Sequence, residues 1–210
     1  MTTDTNTTAP RFTVTLDALR KAGACYEGYN KLVRSLQGET FSAEDADRNS
    51  YIHFKHDAEI PLLDILKSNG LDDALWSLRC VSGADRDIRL FAVWCGRQVE
   101  HLMEDQRSKD ALDVAERFAN GEATEEERAA AWDAAWAAAW AAARDAAWDA
   151  AGGAWAAAWA AARAAAGGAW AAAWAAARAA AGGAAGDAQT EMFKRMCLGT
   201  APWQQGKVAA

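Results

Sequence analysis

The sequence AAAWDAAWAAAWAAAR at residues 129–144, followed by two identical copies of GGAWAAAWAAARAAA at 152–166 and 167–181, decides the fold class. Between Ala129 and Gly186, 37 of the 58 residues are alanine, and nearly all the others are Trp, Arg, Asp or Gly. No β-branched residue interrupts the stretch, so helix propensity stands close to its maximum. Trp132, Trp136 and Trp140, then Trp155, Trp159 and Arg163, then Trp170, Trp174 and Arg178 follow at four-residue steps. That spacing places each set on one side of a helix.

The 15-residue period leaves two architectures open. Fifteen residues overshoot four helical turns by about 60°, so in one unbroken helix the Trp stripe rotates steadily and favours right-handed supercoiling. In the alternative, Gly152-Gly153, Gly167-Gly168 and Gly182-Gly183 break the chain into short helices, each burying its Trp face against its neighbours. Each glycine costs roughly 1 kcal/mol relative to alanine inside a helix, which favours the broken, stacked array. Asp133, Asp145 and Asp149 with Arg144, Arg163 and Arg178 supply its solvated edge.

Upstream, the pattern is that of amphipathic helices. Leu16, Leu19, Ala22, Tyr26, Tyr29, Leu32, Val33 and Leu36 recur at three- and four-residue steps. They predict one helix, or two joined near Gly23, ended by Gly38. Residues 39–59 are polar and aperiodic, a surface loop in which Tyr51, Ile52, His53 and Phe54 alternate as a short extended piece would. Pro61 opens a helix closed by Asn69-Gly70, and Leu71, Ala74, Leu75 and Leu78 make another. Ser82 with Asp85 predicts a capping box for a helix burying Ile88, Phe91, Cys95, Val99 and Leu102. Ser108 is expected to cap the next helix, with Ala111, Val114, Ala115 and Phe118 inside and Asn120-Gly121 as its stop. Thr124 with Glu127 forms a further capping box that launches the repeat, and a last helix from about Asp187 through Cys197 caps the stack. The chain is therefore expected to be all-α: a disordered lead-in at 1–12, an acidic helical domain at 13–128, an Ala/Trp-rich array of short stacked helices with a capping helix at 129–198, and a flexible tail at 199–210.

Charge limits the choice of partner. Of the chain's 22 basic and 29 acidic side chains, residues 1–128 hold 16 and 24, and residues 129–210 hold 6 and 5, so the net charge of −7 arises in the first part. Such a chain lacks the cationic footprint of a nucleic-acid binder, and the repeat sets as many Asp as Arg among its indoles. The longest uncharged run of the repeat, 14 residues from Ala164 to Ala177, falls short of the ~18–20 needed to span a bilayer. Interfacial helices need a Lys/Arg-rich face, so no membrane association is expected either. Residues 1–12 contain no apolar signal region, and Cys25, Cys80, Cys95 and Cys197 form no CxxC pair. The four are expected as buried thiols in a reducing compartment.

Few residues carry chemistry. His53 and His56, with Asp57 and Glu59, have the spacing of a metal-ligand pair, but no further His or Cys nearby completes the shell, and a polar loop is the favoured expectation. Cys95 with His101 has the elements of a nucleophile and base, yet Cys95 lies on an apolar stripe where an inert thiol is the commoner occupant. Asp72 and Asp73 at a helix start complement the helix dipole and form an acidic pair suited to a partner. For Trp155, Trp159, Trp170 and Trp174, core packing is the first expectation and a partner-binding face the second. No metal or cofactor is expected.

The runs SNGLDDALWSLR at 68–79, RDIRLFAVWC at 86–95 and ALDVAERFANGEATEEE at 111–127, leading into the AAAW/AAAR repeat, resemble the alanine/tryptophan-rich proteins of bacteria and phages classed as immunity proteins of polymorphic toxin systems. The likeness covers roughly residues 61–198. It implies an all-helical, non-enzymatic protein that neutralises a toxin or host factor in the cytoplasm of a bacterial or phage-infected cell, and it carries no functional residues onto this sequence. The acidic half points to a basic protein partner. Two other classes are distinguishable: a ligand-binding, metal-binding or enzymatic domain in 13–128 with the repeat as scaffold, and a homo-oligomer assembled through unpaired repeat ends.

Overall fold

The computed structural model describes residues 11–145 and 184–205, with side chains described up to Ala138 and from Gly186 onward. The expected broken array at 152–181, with Trp155, Trp159, Trp170 and Trp174, lies outside the described residues. The regular structure of the described chain is helical apart from one two-stranded ladder, in keeping with the all-α class. It divides into two compact units, Met1–Ser82 with Lys194–Ala210, and Gly83–Phe193.

In the first unit, β1 (Thr13–Val14) pairs antiparallel with β2 (Ile60–Pro61), Thr13 opposite Pro61 and Val14 opposite Ile60. The amphipathic run that follows β1 forms two helices, α1 (Leu16–Lys21) and α2 (Tyr26–Gln37), because Gly23 at φ +81° turns the chain between them. Thr15 caps α1 by accepting from the Ala18 N–H at 3.1 Å. Leu19, Tyr29, Leu32 and Val33 are buried, as the three- and four-residue spacing predicts.

The segment 39–59 contains one short helix, α3 (Ala43–Ala46), held by a Ser42/Asp45 capping box. Residues 51–54 form no strand. Instead Ile52 is buried, and fully buried Asn30 of α2 serves its backbone. Asn30 Oδ1 accepts from the Ile52 N–H at 2.8 Å, and Asn30 Nδ2 donates to the Ser50 carbonyl at 3.0 Å. A side-chain amide thus replaces a strand partner. Pro61 ends β2 and caps α4 (Leu62–Asn69), which meets α5 (Leu71–Ser77) at Gly70, followed by a 3₁₀ turn at Leu78–Cys80.

Both ends of the described chain are hydrogen-bonded within this unit. The Arg11 N–H donates to the Cys197 carbonyl at 2.8 Å, and Phe12 is buried. At the position of the expected tail, Ala201 is buried, its N–H donates to Gln204 Oε1 at 3.0 Å, and Gln204 Nε2 donates to the Met196 carbonyl at 3.0 Å. Residues 199–205 therefore make a closed turn.

The second unit contains α6 (Asp85–Gln98), a 3₁₀ turn at Glu100–Leu102, α7 (Gln106–Ala119), α8 (Glu125–Asp145) and the first part of α9 (Ala184–Cys197). Two of the three expected caps differ. Gly83 at φ +71° bends the chain between Ser82 and the helix, so Ala84 precedes α6 and no side chain caps it. Asp105 rather than Ser108 caps α7, accepting from the Arg107 N–H at 2.9 Å, and Ser108 falls inside the helix, buried. The third box forms: Glu127 Oε2 accepts from the Thr124 N–H at 2.7 Å, and Thr124 Oγ1 from the Glu127 N–H at 3.2 Å. The apolar stripe of α6 also ends earlier than its periodicity implies, since the helix stops at Gln98 and Leu102 is exposed.

The α6–α7 contact depends on a glycine. A Cβ at Gly96 would lie 2.8 Å from Leu112 Cδ2, so this glycine lets fully buried Leu112 lie against α6. Val93, Ala111, Ala115 and Ala135 form a buried cluster on which Ala131 and Trp132 pack, joining the first turns of α8 to α7. Small residues let these backbones approach while one indole fills the remaining space. Trp132 and Trp136 are half-buried and their rings lie 5.7 Å apart.

Candidate functional site

The first unit carries a partly open cavity of about 150 Å³ at the junction of α2, α4 and α5. Leu19, Leu32 and Ile65 supply apolar wall, Tyr29 and Trp76 supply rings, and Asp73 with Asn69 supplies polar atoms. Helical spacing explains the assembly. Gly28, Tyr29 and Leu32 lie on one side of α2, while Asn69 at the end of α4 and Asp73 on the first turn of α5 stand four residues apart across Gly70.

A tight polar contact organises one edge of the cavity. Asn69 Nδ2 donates to the Gly28 carbonyl and to Asp73 Oδ2, both at 2.7 Å. A Cβ at Gly28 would lie 2.8 Å from Asp73 Oδ2 and 3.2 Å from Cys25 Sγ, so the missing side chain makes room for the carboxylate. Cys25, expected as a buried thiol, is exposed and caps α2, its sulfur accepting from the Gly28 N–H at 3.3 Å. Ser77 Oγ donates to the Asp73 carbonyl at 2.7 Å, which fixes the turn that carries Asp73.

The aromatic side of the site is layered. The Tyr51 ring stands edge-on to both Tyr26 and Tyr29, with centroids 4.7 Å apart in each case, and its hydroxyl donates to the Ala24 carbonyl at 2.7 Å. Tyr29 is 2% exposed, and its phenol oxygen is buried without a hydrogen-bond partner among the described residues. Burial pushes the Tyr29 phenol above its ordinary value and keeps it protonated. The Arg79 guanidinium lies 4.1 Å over the Trp76 ring.

Of the acidic pair, Asp72 is exposed and Asp73 half-buried in the cavity wall, so neighbouring residues face different surroundings. His53 is exposed and His56 stacks on Phe54 at 5.6 Å. Among the described residues no group of three His, Cys, Asp or Glu side chains is placed to hold a metal ion. Cys95 and Cys197 are buried, which raises the Cys95 thiol far above its ordinary value and pushes Cys197 up to about 12. That is the reverse of what a thiolate nucleophile needs. Cys80 is half-buried, its thiol also raised by burial.

The cavity was not legible in the sequence. The only local signal is Gly28, a glycine inside an amphipathic helix where alanine would be more stable. No described helix is long and apolar enough to cross a membrane. No protein-family model, curated protein or solved structure matches the chain.

Proposed function

We propose that this chain is a non-enzymatic helical binding protein, of the immunity or inhibitor type, that sequesters a basic protein partner in the cytoplasm. The observation that carries this reading is where the charge sits once the chain is folded. Residues 83–193 hold 17 acidic and 10 basic side chains, whereas 1–82 with 194–210 hold 12 of each, so the net −7 belongs to the second unit. Glu104, Glu122, Glu126 and Asp133 are exposed there and none forms an ion pair among the described residues. Unpaired surface carboxylates raise the encounter rate with a cationic surface and disfavour acidic competitors. The likeness of 61–198 to toxin-neutralising immunity proteins points the same way.

The test is affinity capture of the tagged protein in the cells it comes from, with identification of what is retained and a salt titration of the complex. One stoichiometric basic protein, released by salt, is the expected result. Recovery of the chain alone, or of a partner indifferent to salt, would overturn the reading.

A further inference from the structure

We propose that the cavity between α2, α4 and α5 is a binding site for a small alkylammonium group, with Asp73 as its counter-charge. A cavity of about 150 Å³ is roughly what a benzene-sized molecule needs, so it takes a short apolar stem with a compact head. Leu19, Leu32 and Ile65 match the stem. The head must be a donor. Asp73 Oδ2 already accepts from Asn69, while no described residue donates to Oδ1 and no described cation pairs with this carboxylate. An ammonium, with three donors and no acceptor, complements that oxygen, whereas a carboxylate or phosphate would be repelled.

Two further features belong to such a site. Gly28 gives up a side chain in the first turn of α2 where a Cβ would press on Asp73 Oδ2 at 2.8 Å, so the carboxylate keeps its place at the wall. Tyr29 and Trp76, also in the wall, add ring surface against which the stem can pack. The site lies wholly in the charge-balanced first unit, so it is independent of the acidic surface proposed to hold a protein.

The full chain should be titrated with n-butylammonium and, in parallel, with n-butanol, following binding by calorimetry and by the Trp76 indole N–H resonance. Butylammonium is expected to saturate the site and shift Trp76, with butanol at least about tenfold weaker. Asp73→Asn keeps the shape and the Asn69 contact, and should reduce butylammonium to the level of butanol. Gly28→Ala keeps Asp73 but displaces its carboxylate, and should weaken the amine more than the alcohol. A lysine blocked at both ends identifies the source of the group: binding like butylammonium marks a protein side chain, and failure to bind marks a free amine. Equal binding of amine and alcohol, an unchanged Asp73→Asn variant, or no saturation by butylammonium would overturn the assignment. Because partner capture reports on the other unit, either proposal can fail without the other.

Discussion

Asp45 shows how far one residue's surroundings can set its chemistry. Its side chain is 4% exposed, the Arg34 guanidinium donates to both of its oxygens at 3.0 and 2.9 Å, and the Ser42 N–H and hydroxyl each donate at 3.1 Å. The Arg34 hydrogen bonds, more than any other contact, lower its carboxyl from 3.8 to about 2. A carboxyl harder to protonate in the folded chain stabilises that chain fully above pH ~4, and the contribution is lost as pH falls toward 2. The stability difference between wild type and Asp45→Asn, from urea melts, should therefore be constant near neutrality, shrink below about pH 4 and be lost as pH falls through about 2. A difference as large at pH ~2 as at neutrality would show that the ion pair is not its origin. Two glycines make a second test at this scale. Gly96→Ala drives a methyl into buried Leu112, which overpacking and helix propensity together put at a net loss of about 1 kcal/mol. Gly186→Ala meets nothing within 4 Å among the described residues and should gain about as much, ~1 kcal/mol. The residues flanking Gly28 and Gly96 do not reveal these roles, because each is fixed by a residue distant in sequence, Asp73 and Leu112.

At the scale of elements, periodicity located most helices and the glycine signals located the stops at Gly38, Gly70 and Asn120, whereas two of the three side-chain caps expected from Ser82 onward were misplaced. Thr124 and Glu127 were legible because both halves of the box lie within four residues, and the Arg117 guanidinium takes only the other carboxylate oxygen of Glu127. Ser108 misled because Asp105, an equally good cap three residues earlier, starts the helix first. Ser82 misled because Gly83 turns the chain between it and α6. Thermal or chemical unfolding should separate the two serine/threonine roles by sign. Thr124→Ala removes a working cap and should cost about 1 kcal/mol. Ser108→Ala removes a buried hydroxyl that has no hydrogen-bond partner among the described residues and should raise stability by up to ~1 kcal/mol. A loss on Ser108→Ala would mean that the hydroxyl is bonded after all. The Asn30 bridge to Ser50 and Ile52 was illegible for another reason: it links residues more than a helix apart, and asparagine in an amphipathic helix gives no sign of being buried.

For the whole molecule, composition predicted an all-α chain and a net acidic charge, but it placed the acidity by sequence position. Folding regroups it, because the C-terminal residues join the first unit. The Arg11 N–H bonds to the Cys197 carbonyl, and Gly199, at φ +73°, is so close to Arg11 that a Cβ there would lie 2.9 Å from its Cδ. Lys194, Arg195 and Lys207, counted with residues 1–82, offset the net −3 of that stretch, and residues 83–193 retain the whole excess. This arrangement makes the binding proposal quantitative. The most direct measurement is the Kd of the purified complex with the captured partner as a function of salt, for wild type and for a variant carrying Glu104→Gln, Glu122→Gln, Glu126→Gln and Asp133→Asn. All four carboxylates are exposed, so the variant should fold as wild type. Wild-type affinity should fall steeply as salt rises to about 0.5 M, where screening reaches contact range, and the variant should bind more weakly with a flatter salt dependence. A Kd unmoved by salt and equal in the two proteins would contradict an acidic surface as the means of capture.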